Sequence, residues 1–141
     1  MLRSTIFPGT SERVQNLFRK RGVRVSVAFC PERIVEGKAL EELASMPQII
    51  SGFDKETTQR MQILFNAISK GGVVKASPLE AELAKLFSNA WRYIKFAVAN
   101  QFYTMATERG VDYARIYKVM TDRYERNRDL PRPGFAAGPC L

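Results

Sequence analysis

Histidine is absent from all 141 residues, and that absence removes a Ser-His-Asp triad, an imidazole general base and most zinc sites. Proton transfer is left to carboxylates, Lys, Tyr or Cys, and no metal site is expected. Cysteine is scarce: Cys30 and Cys140 stand far apart with no C-x-x-C between them, which speaks against a disulfide framework. No apolar run approaches the ~20 residues that cross a bilayer. The segment 1–9 lacks the apolar core of a signal peptide. Free thiols in a cytoplasmic protein, with no membrane partner, are therefore expected. Acidic residues are also in short supply, 14 against 22 Lys and Arg, for a formal charge of +8. Such a balance points to an anionic partner: nucleic acid, a phosphorylated metabolite, a dinucleotide, or solvent alone.

What is present is ordinary globular material, 45% hydrophobic and 26% charged, enough for a core of single-domain size. An apolar stretch, Leu2 to Phe7, is broken by Pro8-Gly9. Ser11 is the expected N-cap of a helix to about Arg21, with Val14, Leu17 and Phe18 at helical spacing and Gly22 as its stop. Val23 to Phe29 alternates and reads as a strand. Residues 31–47 form a charged loop or short helix, and Pro47 to Gly52 another short strand. Asp54 caps a helix to about Ser69 whose stripe is Met61, Leu64, Phe65 and Ile68. Gly71-Gly72 turns into a last strand, Val73 to Ala76. From Ser77-Pro78 no breaker occurs before Gly110, so one helix of some 32 residues, about 48 Å long, is expected. Its broad apolar stripe, from Leu83 through Phe87, Trp91 and Ile94 to Val98 and Phe102, needs covering by other helices. Asp112 opens a shorter helix to about Tyr124, and the Arg-, Pro- and Gly-rich tail is loop.

Four stretches carry candidate chemistry, each with an ordinary alternative. Arg3-Ser4-Thr5 before Pro8-Gly9-Thr10 sets hydroxyls after a strand, where α/β proteins bind ligands; a capped turn has the same composition. Cys30-Pro31-Glu32-Arg33 with Glu36-Gly37 puts two carboxylates at a strand end, able to hold water or a ribose hydroxyl, or merely solvated. Glu82, Lys85 and Asn89 share one helix face. There a Lys and an Asn can donate to an oxyanion, while an i, i+3 surface ion pair uses the same spacing. Gly134 to Cys140 ends a loop of small residues on a thiol, either a nucleophile or inert.

Read in order, Arg3-Ser4-Thr5-Ile6-Phe7-Pro8-Gly9-Thr10, Cys30-Pro31-Glu32-Arg33-Ile34-Val35-Glu36-Gly37, Ala81 to Ala90 and Gly134 to Cys140 resemble the UDP-glucose/GDP-mannose dehydrogenase family across essentially the whole chain. Asn89 through Asn100 also looks like that family's central helix. The resemblance implies an α/β fold: the end of a Rossmann-like NAD domain, residues 1–76, then a helical central dimerisation domain with one long helix, residues 77–141. It implies an NAD-dependent oxidation of the C6 alcohol of a nucleotide sugar to a uronic acid, through a cysteine thiohemiacetal and thioester. By the same resemblance Cys140 matches the nucleophile, and Lys85 and Asn89 match the pair that stabilises the oxyanion and binds sugar. Thr5 and Glu32 match the residues that position water and assist proton transfer. Thr5 and Glu36 fall beside the cofactor, and Arg123 is similar to an arginine that reaches the substrate across a dimer. A nucleotide sugar and a second copy of the chain are the implied partners, and nucleic acid is not.

Departures accompany the match. Ala137-Gly138-Pro139 stands where paired glycines usually precede the cysteine, and Gln101 follows Asn100 where Glu is common. Both point to a subgroup handling N-acetylated UDP-hexosamines, with UDP-glucose left open as the sugar. The glycines at 9, 22, 37 and 52 do not form a G-x-G-x-x-G turn, and the chain stops one residue after Cys140. It therefore reads as the middle of an enzyme, expected by itself neither to hold NAD tightly nor to turn over substrate. A non-catalytic dimerisation or regulatory module, and a basic nucleic-acid-binding module, are the competing expectations.

Overall fold

The computed structural model describes residues 1–35 and 37–135. Its elements are α1 (Thr10–Lys20), α2 (Ala39–Ser45), β1 (Gln48–Ile50), α3 (Lys55–Ile68), β2 (Val73–Lys75), α4 (Pro78–Glu108) and α5 (Tyr113–Thr121), followed by a 3-10 turn, Glu125–Asn127. The chain divides into two compact units that meet in sequence between Phe87 and Ser88.

In the first unit β1 and β2 pair in parallel, Gln48 opposite Val73 and Ile50 opposite Lys75, with α3 as the connection. This is the βαβ arrangement that parallel strands require. The side chain of Asp54 accepts from Thr57 N at 2.6 Å and from the Thr57 hydroxyl at 3.0 Å, which fixes where α3 starts. Ala28, Cys30, Ile50 and Phe65 form the buried cluster, with Met61 and Val73 packed against it. Each large side chain there contributes about 1.5–3 kcal/mol. Of the stripe expected on α3, Phe65 is buried and Met61 joins the cluster, whereas Leu64 and Ile68 stay 43% and 45% exposed. The helical spacing is right, but β1 and β2 are only three residues long and cover less than the stripe's full width.

Two local expectations for the first unit are corrected. The helix α1 begins at Thr10, and its N-cap is Gly9, at φ 82° in the left-handed region that favours glycine, rather than Ser11. The turn closed by Thr10 N on the Phe7 carbonyl at 3.1 Å starts the helix early, and Ser11 is buried inside the first turn. The expected strand over 23–29 runs without a ladder as far as Phe29, which makes a parallel bridge with Leu2. Gln15 substitutes for a neighbouring strand: its amide donates to the Val25 carbonyl at 3.0 Å and accepts from Val27 N at 2.7 Å. One side chain thereby satisfies two backbone groups of the extended segment.

The helix α4 runs 31 residues, about 46 Å. Ser77 and Glu80 close a reciprocal cap at its start, with Ser77 N donating to Glu80 at 2.7 Å and Glu80 N to the Ser77 hydroxyl at 3.3 Å. In the second unit Asp112 caps α5 by accepting from Ala114 N at 2.9 Å. Tyr113 is buried edge-on to Tyr103, their ring centroids 5.9 Å apart. The helix expected to reach Tyr124 stops at Thr121, where Asn127 donates to the Met120 carbonyl at 2.9 Å and the 3-10 turn takes over. Among the described residues no helix is long and apolar enough to cross a membrane.

Candidate active site

Leu2 and Phe29 pair through Leu2 N to the Ala28 carbonyl at 2.8 Å and Cys30 N to the Leu2 carbonyl at 2.9 Å. The residues just beyond, Arg3 to Thr5 and Pro31 to Arg33, thus leave the carboxyl ends of two parallel segments side by side. Ligands of α/β proteins sit at such ends. Glu32 N donates to the Arg3 carbonyl at 3.0 Å, continuing the pairing into the polar segment. The Glu32 carboxylate is held from three directions. One oxygen accepts from Arg33 N at 2.8 Å and Ile34 N at 3.0 Å, and the other is paired with the Arg3 guanidinium. That guanidinium also lies 5.1 Å from the centre of the Phe65 ring, a cation–π contact anchored on the core. Arg3 and Glu32 keep about a quarter and a third of their side-chain surface, so the carboxylate is oriented yet reachable. Thr5 is exposed at the same edge.

Cys30, whose N–H takes part in this pairing, is a buried free thiol. Burial pushes its pKa up, against smaller lowering effects of a hydrogen bond from Ser51 and the charge of Arg3. A thiol kept protonated in this way is a packing group, not a nucleophile.

The third motif joins the first through Glu82. This residue is 1% exposed, and its carboxylate accepts from Gly9 N at 2.5 Å and Ser11 N at 2.8 Å. Those donors are orphan groups of the first turn of α1, so α4 caps α1 in place of the expected Ser11. Lys85 follows on the next turn of α4, half-buried, and Asn89, also half-buried, comes one turn later. Arg123 is exposed after the end of α5 with φ 54°, its Nε 3.7 Å from Asp122. Glu36 and Cys140 lie outside the described residues. Among the described residues no cluster of three or more metal-ligating side chains is present.

Thr5, Glu32 and Lys85 are thus carried by three segments of the first unit, the one with Thr5 hydrogen-bonded to each of the other two. Two contacts were missed in the sequence: the Glu82 cap, and Asn100, whose side chain donates to the Gly134 carbonyl at 3.0 Å and accepts from Gly134 N at 2.8 Å. A signal for the first existed. Gly9 brings a helix start with no side-chain acceptor of its own, and Glu82 stands between Ala81 and Leu83 beside an apolar stripe.

Residues 1–69 match the NAD binding domain of the UDP-glucose/GDP-mannose dehydrogenase family, and residues 79–141 match the central domain of the same family. The chain belongs to this family. The UDP-N-acetyl-D-mannosamine dehydrogenase of Methanococcus vannielii is 31% identical over 141 residues, all of this chain and 32% of that protein. The solved UDP-D-ManNAc dehydrogenase of Pyrococcus horikoshii superposes with a TM-score of 0.83 at 28% identity, over 98% of this chain and 34% of that one. A UDP-glucose dehydrogenase from Pyrobaculum islandicum has a TM-score of 0.76 at 32% identity, over 86% and 29%. The chain therefore spans about a third of the length of these dehydrogenases, and its α/β architecture with one long helix is the family's.

Proposed function

We propose that this chain supplies the water-handling, oxyanion-binding and nucleophilic residues of an NAD-dependent nucleotide-sugar 6-dehydrogenase. The observation that carries this reading is that the Thr5 segment bonds to both of the others, to the Glu32 segment at the carboxyl ends of two parallel segments and to the Lys85 segment through Glu82. At that edge the exposed Thr5 hydroxyl and the partly exposed, oriented Glu32 carboxylate offer the polar contacts a dinucleotide and its substrate require. NAD, when bound, would accept two hydrides in succession from C6 of the sugar, one per cofactor molecule. In the chain itself Lys85 and Asn89 donate hydrogen bonds to the C6 oxygen as charge develops there. Cys140 holds the carbon as a thiohemiacetal between the oxidations and as a thioester after the second, Glu32 and Thr5 guide the water that cleaves the thioester and releases the acid, and Glu36 lies beside the cofactor. Arg123 contacts the nucleotide sugar across a homodimer.

The homodimer forms through α4. Phe87, Trp91, Ile94, Val98, Phe102 and Met105 are exposed at successive steps of four, three, four, four and three residues, one continuous seam along the helix. N-acetylated UDP-mannosamine is the favoured sugar, because the Methanococcus vannielii mannosamine dehydrogenase is 31% identical over the entire chain.

The test joins this chain to the remaining two thirds of the Pyrococcus horikoshii enzyme, in place of the segment it matches, and follows NADH with UDP-N-acetyl-D-mannosamine and with UDP-glucose. Two NADH per sugar are expected, with loss of turnover in Cys140→Ala and a kcat lowered about 10²- to 10³-fold in Lys85→Ala. Full turnover in Cys140→Ala would remove the thioester route.

A further inference from the structure

We propose that Glu82 is a positioning residue: its carboxylate ties the segment Ser4 to Gly9, and with it Thr5, to the turn of α4 that leads into Lys85. The inference rests on the dehydrogenase reading for its consequence but on geometry alone for its substance.

Three observations carry it. Glu82 is a carboxylate 1% exposed, a burial that costs several kcal/mol unless donors replace water. Its two donors are backbone amides of another segment, Gly9 N at 2.5 Å and Ser11 N at 2.8 Å, 73 and 71 residues away in sequence. The partial positive charge of the α1 N-terminus adds to their pull. Third, Gly9 brings no side chain to its own cap and sits at φ 82°, so α1 depends on α4 for its cap. Gly9 is four residues from Thr5 and Glu82 three from Lys85. The clasp therefore gives a short route, four residues, one hydrogen bond and three residues, between a hydroxyl that handles water and an ammonium that meets the oxyanion. Displacement of reacting groups by about 1 Å costs on the order of 10²-fold in rate, which is why a group touching neither substrate nor cofactor can govern turnover.

Amide hydrogen exchange on the 141-residue chain tests the clasp without any activity. In Glu82→Gln, which keeps one acceptor oxygen, and in Glu82→Ala, Gly9 and Ser11 exchange faster, roughly ten- to hundredfold for the loss of a buried acceptor, and the Thr5 amide and methyl resonances shift. The Ala28, Ile50 and Phe65 amides keep their protection. In the hybrid enzyme described above, kcat falls at least about tenfold for Glu82→Ala and less for Glu82→Gln, with KM within about twofold. Unchanged Gly9 and Ser11 exchange overturns the clasp whatever the activity. Faster exchange with an unchanged kcat overturns the positioning role. Core protection lost together with that of Gly9 in both variants makes Glu82 a general stabiliser and also overturns it. A hybrid enzyme that makes no NADH with wild-type residues counts against the dehydrogenase reading, while the exchange and resonance shifts still decide the clasp.

Discussion

Glu32 and Glu82 are both glutamates inside family motifs, yet their surroundings give them opposite work. Glu32 keeps a third of its side-chain surface while Arg3, Arg33 N and Ile34 N orient it; Glu82 is sealed against the start of α1. Arg3→Ala is expected to cost stability little, within about 1 kcal/mol, because the pair is partly solvated. It should nonetheless lower kcat in the hybrid enzyme about tenfold or more, because Glu32 loses one of its three donors. A urea midpoint measured beside the kinetics separates the two effects, and equal losses in both would refute the orienting role. Cys30 gives a prediction in pH. Its pKa is raised by burial, so the folded chain favours the thiol form, and that contribution is complete at neutral pH. It is lost as the pH climbs past the ordinary value of 9.0 toward the folded-state value. Between about pH 8 and about pH 10 the wild type should lose more stability than Cys30→Ala, read from urea midpoints. Parallel curves for the two proteins would show that the thiol is not linked to folding. Residue types and motif order singled out Thr5, Glu32 and Lys85 in the sequence as candidates. What holds them was not, since Glu82 to Gly9 is a contact between segments that no periodicity encodes.

At the level of elements, legibility followed local chemistry. The helices α3 and α4 begin where Asp54, Ser77 and Pro78 announce them, because a cap is a bond between residues three apart. The extended run 23–29 was misjudged because its partner is a glutamine side chain on α1 and not another strand. Asp54→Ala should destabilise by about 1 kcal/mol through the lost cap of α3. The carboxyl is held below its ordinary value, first by the Thr57 N–H and then by the Thr57 hydroxyl, so its contribution is present above pH 3.8 and is lost as the pH falls through and below that value. The wild type and Asp54→Ala should therefore converge in acid, by thermal melts across pH. A gap that stays constant into acid would contradict the charged cap. Gly71 offers a steric test. A Cβ there would lie 2.2 Å from the Ser45 carbonyl oxygen and 2.7 Å from Pro47 N, both backbone. Gly71→Ala should cost about 1–3 kcal/mol, whereas a melting temperature equal to wild type would mean that the 45–47 turn yields freely.

For the whole molecule the governing feature is what the surface leaves uncovered. Trp91 is 56% and Met105 55% exposed on a helix where Phe87, Ile94, Val98 and Phe102 follow the same seam, and contiguous exposed apolar surface marks association sites. Light scattering across concentration should show a dimer that Trp91→Glu shifts toward monomer without unfolding it. A monomer at high concentration would reject α4 as the contact. The basic excess is consistent with phosphate-bearing ligands, and charge alone did not single them out from other anions. The Glu82 clasp also bears on how the chain is made. Gly9 leaves the ribosome 73 residues before its acceptor, an interval of roughly 4–15 s at about 5–20 residues per second. During that time the first turn of α1 has only water for a cap. The segment carrying Thr5 is thus among the first parts of this chain to be synthesised and among the last that can be locked in place.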